Sequence, residues 1–217
     1  MPVNDLAPGG NQQATPLVRT EPIQERSAAR IDALLDAAAT VVDEIGFDRL
    51  TTAMVAERAS ASIGTVYRYF PDRIVLLQAL RDRAVQRYRA AMEALIETRG
   101  PEQWWDAVEC AVDAFVEMYR NEPGFRIIRF SDTERVPEND DAHFSSGFFA
   151  GGFVDILTER FGLPAGEELT FRLEVVVEIA DALITRAFLM APRGDESFIA
   201  EARTVIREYL TSRYAGH

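Results

Sequence analysis

The chain has 217 residues, of which 47% are hydrophobic, with a formal net charge of −12, one cysteine and two histidines. That length buries a sizeable core in one large or two small domains, and no apolar run approaches the roughly 20 residues that cross a bilayer. Cys110 alone excludes an internal disulfide and a multi-thiolate metal site, and His143 and His217 cannot make a multi-histidine one. No metal and no cofactor is therefore expected. Residues 1–18 carry no basic stretch ahead of an apolar core, which predicts no secretory signal, no membrane partner and a cytoplasmic protein.

The charge is unevenly placed. Residues 1–90 hold 11 arginines and 11 acidic residues, whereas residues 91–217 hold 12 arginines and 24 acidic residues. Lysine is absent. A net negative chain is at first sight a poor partner for nucleic acid, but the acidity belongs to the C-terminal part alone. A neutral N-terminal module binds DNA if its few cations are well placed and the acidic part faces away from phosphate.

Residues 1–21 are rich in Pro, Gly, Asn and Gln and predict a disordered arm. From residue 22, Ile31, Leu34, Leu35, Ala38, Val41, Val42 and Ile45 recur at three- and four-residue steps and predict an amphipathic helix, which Gly46 stops. Thr51 caps a second helix over 52–59 with Val55, Ala56 and Ala59 inward. A turn at Ser60–Ala61 leads to a third helix over 62–69. Pro71 and Asp72 break it and start a fourth helix over 73–97, which Gly100 and Pro101 end. Further helical stretches are predicted over 102–120, 123–130, 144–161, 167–190 and 195–214, with a polar, acidic loop at 131–143. No run alternates at period two, so the expected class is all-α. Its parts are a helix-turn-helix domain over 22–72 and a helical regulatory, ligand-binding and dimerisation domain over 73–217, tied together by the long fourth helix.

Residues 46–73, GFDRLTTAMVAERASASIGTVYRYFPDR, carry the most information. Two short helices joined by a tight turn outline a helix-turn-helix reader of double-stranded DNA. A helix entering the major groove needs small residues where its backbone nears DNA and hydrogen-bonding side chains where it meets bases. Ser62, Gly64, Thr65, Tyr67, Arg68 and Tyr69 supply both, while Val66 and Phe70 fit the core of the small bundle. Gly64 weakens a helix, which makes sense if the backbone lies close to DNA.

These residues closely resemble the N-terminal signature of the TetR family of bacterial transcription regulators. The resemblance is specific over about residues 26–80 and extends further only as an all-helical layout. It implies that Thr51 and Thr52 open a phosphate-contacting helix. It places Ser62, Ile63, Gly64, Thr65, Tyr67, Arg68 and Tyr69 on the recognition helix, and Arg73 where the family usually has a phosphate-binding lysine. Two departures stand out. The turn is Ser60–Ala61 rather than glycine followed by a larger aliphatic, so a positive φ there costs more. Ala53 replaces a base-contacting arginine found in some members.

The resemblance also implies a homodimer and a small-molecule effector. Independently, Phe198, Ala202, Val205 and Tyr209 form a seam on the last helix. The helix over 167–190 is apolar around more than half its circumference, with Val176, Ile179 and Leu183 among its residues, so it needs cover on more than one side. A four-helix dimer interface from these two helices is expected. Trp104, Trp105, Phe115, Met118, Tyr119, Phe125, Phe130, Phe148, Phe149 and Phe153 predict an apolar or aromatic ligand as a set, although each alone fits a plain core better. Glu174, Glu178 and Asp181 share one face. Solvation or pairing with Arg172 and Arg186 is the first reading, and a cationic ligand held by Glu178 the second.

The function expected from the sequence is a repressor released from a pseudo-palindromic operator by an apolar or aromatic effector. The alternative is a DNA-binding regulator controlled by a protein partner without a small ligand. An enzyme is not expected, because no catalytic constellation stands out.

Overall fold

Apolar spacing of three and four residues folds the chain into helices throughout. The computed structural model describes residues 21–127 and 146–216. Among these there are eight α-helices and no strand: α1 (Glu21–Ile45), α2 (Thr52–Arg58), α3 (Ile63–Tyr69), α4 (Arg73–Arg99), α5 (Trp104–Asn121), α6 (Ser146–Phe161), α7 (Glu167–Met190) and α8 (Glu196–Tyr214). The all-α expectation therefore holds. The predicted N-terminal arm up to residue 20, Phe130 and the acidic loop at 131–143 lie outside the described residues.

Local signals set most boundaries. The side chains of Thr51, Ser62 and Asp72 each accept a hydrogen bond from a backbone N–H in the first turn of the helix they precede. Each satisfies one otherwise orphaned donor. Gly46 (φ +86°) follows α1, and Gly100 (φ +57°) closes α4 in the left-handed conformation. Ser60 also takes a positive φ, +48°, so the turn between α2 and α3 has the geometry that favours glycine. Ser60→Gly is expected to raise stability by about 0.5–1 kcal/mol, seen as a rise of roughly 1–4 °C in Tm.

One expectation needs correction. In place of a helix over residues 123–130, the described part of that stretch forms only a single 3₁₀ turn, Phe125–Ile127. Gly124 before it has φ +76°, which no α-helix accepts. A second 3₁₀ turn, Phe47–Arg49, lies between α1 and α2, where apolar spacing gives no sign of it.

Packing runs from the N-terminal helices through α4 into a C-terminal bundle. Helices α2 and α3 pack on each other and α2 on α1, around Leu34, Val42, Leu50, Val55, Val66 and Phe70. Helix α4, about 40 Å long at 1.5 Å per residue, touches α1 near its start and α5 and α6 further on. Helices α6, α7 and α8 complete the bundle. Arg203 of α8 pairs with Glu109 and Asp113 of α5, and Arg99 of α4 also pairs with Asp113, which ties three helices at one end. No helix among the described residues is long and apolar enough to cross a membrane.

Candidate DNA-reading surface and the cavity behind it

Helix α3 is only seven residues long, and its burial pattern separates core from surface. Val66 and the following Phe70 are buried, while Ser62, Ile63, Gly64, Tyr67 and Arg68 are exposed and Thr65 and Tyr69 half-buried. The hydroxyls of Ser62 and Thr65 lie 2.9 Å apart. Tyr67, 51% exposed, and Ile63, 43% exposed, are large apolar bodies left on the surface, as expected where a partner is to cover them. Arg68 donates to the Tyr69 hydroxyl at 3.0 Å and lies 4.8 Å from the centre of its ring. The Tyr69 phenol also accepts from Ser27 of α1, and this bond, followed by those of Arg68 and the charges of Arg68 and Arg30, lowers its pKa.

Thr51 and Thr52 part company. Thr51 is exposed and its hydroxyl oxygen caps α2, while Thr52 is buried, which withdraws it from the surface a phosphate reaches. Arg73 folds back instead of standing free. One guanidinium nitrogen donates to the Phe47 carbonyl at 2.6 Å, and its buried Nε has no hydrogen-bond partner among the described residues. The expected phosphate role of Arg73 therefore requires it to release this carbonyl or to share its charge from there.

In the C-terminal bundle a cavity of about 50 Å³ is lined by Tyr88 of α4, Val108, Ala111, Val112 and Phe115 of α5, Phe153 of α6, and Leu173, Val176, Val177 and Ala180 of α7. The Tyr88 hydroxyl, the one polar side-chain group of that lining, donates to the Ala111 carbonyl at 3.3 Å. Burial pushes the Tyr88 phenol far above its usual pKa.

The expected pocket residues divide. Phe115 and Phe153 line the cavity. Tyr119 and Phe125 stand behind Phe115, with ring centres 5.2 and 5.6 Å from it. Met118 is buried but does not line the cavity. Trp104 and Trp105 begin α5 elsewhere in the bundle, where Trp104 meets Tyr214 edge-on and Arg207 stacks on Trp105. Glu178 is exposed and outside the cavity lining. Phe130 and the side chains of Phe148 and Phe149 lie outside the described residues.

The acidic face follows its first reading at Glu178, which is exposed, and departs from it at Asp181. Asp181 is buried and accepts from the Tyr119 hydroxyl at 3.0 Å, so it belongs to the interior. Arg172 binds Glu168 and the Tyr209 hydroxyl, and Arg186 stacks on Phe198, so neither serves Glu174 or Glu178. Partial burial, then the charge of Asp181, raises the Glu178 pKa.

Of the expected interface residues, Ala202 is fully buried within its own chain and Val176 faces the cavity, which removes both from a partner's reach. Ile179, Leu183, Phe198, Val205 and Tyr209 remain half-exposed. Phe171 (55% exposed) and Leu189 (73% exposed) add large apolar surface to α7. The aliphatic lining of the cavity escapes sequence reasoning, because spacing shows which residues turn inward and not whether they meet a neighbour or a void.

Among the described residues, a further connection joins the two regions besides α4 itself. Arg83 of α4, buried, donates to the Asp36 carboxylate of α1 at 2.7 Å. Arg87 pairs with both Asp36 and Glu122, the residue after α5. Gly124 then donates its backbone N–H to Asp43 of α1 at 3.2 Å and packs against the Ala39 carbonyl. The turn after α5 is thereby docked on α1, and Phe125 within it rests on the cavity wall residue Phe115.

A surface-exposed second helix of a helix-turn-helix, carried on a helical bundle with an apolar cavity, defines the class of two-part helical regulators. Residues 34–80 match the model "Bacterial regulatory proteins, tetR family", and residues 102–214, half of the chain, match "Tetracyclin repressor-like, C-terminal domain". The chain belongs to the TetR family. It is similar to the HTH-type transcriptional repressor KstR of Mycobacterium tuberculosis, 30% identical over 86 residues, covering 40% of this chain and 39% of that protein. It also resembles the HTH-type transcriptional regulator BetI of Cronobacter sakazakii, 33% identical over 92 residues, covering 39% of this chain and 43% of that protein. The match thus spans about two fifths of these curated relatives. Over a longer stretch, the crystal structure of a TetR-family transcriptional regulator from Streptomyces coelicolor superposes with a TM-score of 0.73 at 33% identity, covering 84% of this chain and 98% of that one.

Proposed function

We propose that this protein is a homodimeric transcriptional repressor that binds a pseudo-palindromic operator through α3 and is released by a small apolar or aromatic effector. The observation that carries this reading is that a single helix serves both regions. Helix α4 begins beside the reading head, where Arg73 holds the Phe47 carbonyl, and about four turns later places Tyr88 in the cavity wall. A change in the cavity that moves α4 moves α3 with it.

The cavity is small. Its volume of about 50 Å³ holds a few water-sized bodies, so an effector must push its walls apart to enter. That requirement supplies the differential affinity that any switch needs. The effector binds the widened bundle, and the widened bundle sets the two reading heads at a spacing that no longer matches successive major grooves, roughly 34 Å apart. The docked turn at residues 122–125 gives the cavity wall a second path to α1. The dimer is formed by α7 and α8, whose half-exposed Ile179, Leu183, Phe198, Val205 and Tyr209 need cover.

Mobility shifts on the DNA upstream of the protein's own gene, with and without a panel of neutral aromatic and aliphatic compounds, test this reading. Retardation relieved by a subset of compounds is expected. Ala180→Leu, which fills the cavity, is expected to keep the shift and abolish its relief. Full relief in Ala180→Leu places the effector elsewhere, and no shift with any DNA sinks the reading.

A further inference from the structure

The cations of the reading head do not stand where the helix-turn-helix alone places them. Arg58 is paired with Glu44, Arg73 is held by the Phe47 carbonyl, and Arg68 lies on Tyr69. Arg26 and Arg30, by contrast, are exposed on the first turns of α1 and make no hydrogen bond or ion pair among the described residues. They are four residues apart and so share one helical face, where two like charges repel. The same end of α1 is fixed to the recognition helix, because Ser27 donates to the Tyr69 hydroxyl at 3.4 Å. The charge of Arg30 is close enough to that phenol to lower its pKa.

We propose that Arg26 and Arg30 form a phosphate clamp, gripping the DNA backbone that borders the major groove occupied by α3. This inference rests on the proposed DNA-reading role of α3. The major groove is about 12 Å wide, so arginines on a helical turn joined to Tyr69 of α3 through Ser27 come within side-chain reach of a flanking strand. A polyanion there relieves the repulsion between the two arginines. Ser27 and Tyr69 are the positioning residues of the clamp, since they fix the end of α1 against α3. Contacts of this kind add affinity and orientation and carry no base information. They also offset the neutral charge of the N-terminal part, which has no lysine to draw on.

The test is fluorescence anisotropy with the full chain, on its operator and on a scrambled duplex of equal length, across a series of salt concentrations. For the paired change Arg26→Ala and Arg30→Ala, affinity is expected to fall by the same factor on both duplexes. The slope of log K against log salt is expected to flatten by about 0.9 per arginine removed. Lysine at both positions keeps the slope, and thermal melts stay unchanged because both side chains are exposed. An unchanged slope in the alanine variant overturns the clamp, and so does a loss confined to the operator. A wild-type protein that binds neither duplex overturns the DNA-reading role itself.

Discussion

Phe125→Ala is expected to lower the unfolding free energy by about 3–5 kcal/mol, a drop of roughly 6–20 °C in Tm. Phe125 is fully buried, and its ring meets those of Phe115 and Tyr119 edge-on at 5.6 and 5.4 Å. Alanine leaves a void between rigid aromatic neighbours that cannot collapse to fill it. The functional consequence is larger than the stability loss alone implies. Phe125 follows Gly124, whose N–H binds Asp43 of α1, so the ring anchors the turn that docks on the reading domain. With the anchor gone, effector-dependent release from DNA is expected to weaken well below the melting temperature, while basal DNA binding persists. Thermal unfolding and effector titration on the same preparation check both halves. A variant that melts early but responds to effector like the wild type confines Phe125 to the core.

Gly64→Ala is expected to move two assays in opposite directions. Gly64 lies in α3, and a Cβ added there meets nothing closer than the Ser62 hydroxyl at 3.9 Å. Alanine thus fits the free protein and is expected to stabilise it by about 0.5–1 kcal/mol through helix propensity. In the proposed complex the added methyl group stands on the exposed side of α3, between its backbone and the duplex. A loss of affinity of about tenfold or more, some 1.4 kcal/mol, is expected. Opposite signs in the melt and in the binding assay isolate the close approach from any general damage. Equal affinity for wild type and variant rules out close backbone approach to DNA as the reason for a glycine in that helix.

Much of this is readable from local chemistry. Thr51, Ser62, Asp72 and Gly100 set helix ends through their own side chains or backbone freedom, and the structure places helix boundaries there. The split within α3 between inward Val66 and outward Tyr67 and Arg68 follows from helical periodicity over a small core. What escapes the sequence depends on distant partners. Asp181 shares a sequence face with Glu174 and Glu178, yet Tyr119 of another helix draws it into the interior. Trp104 and Trp105, the largest aromatics, pack against Tyr214 and Arg207 rather than around a cavity. Val176 reads as an outward seam residue because α7 is apolar nearly all round, and only the position of α5 and α6 turns it into cavity lining. Arg73 keeps the charge its position calls for, but the 3₁₀ turn between α1 and α2 places the Phe47 carbonyl within its reach.

The most direct measurement is selection of bound duplexes from a randomised pool by the full-length protein. Enrichment of a two-fold symmetric sequence is expected, with half-sites one helical turn or a multiple of it apart, about 10 base pairs per turn, and with affinity for it weakened in Gly64→Ala. Failure to enrich any sequence contradicts the assignment of α3 as the reader of DNA.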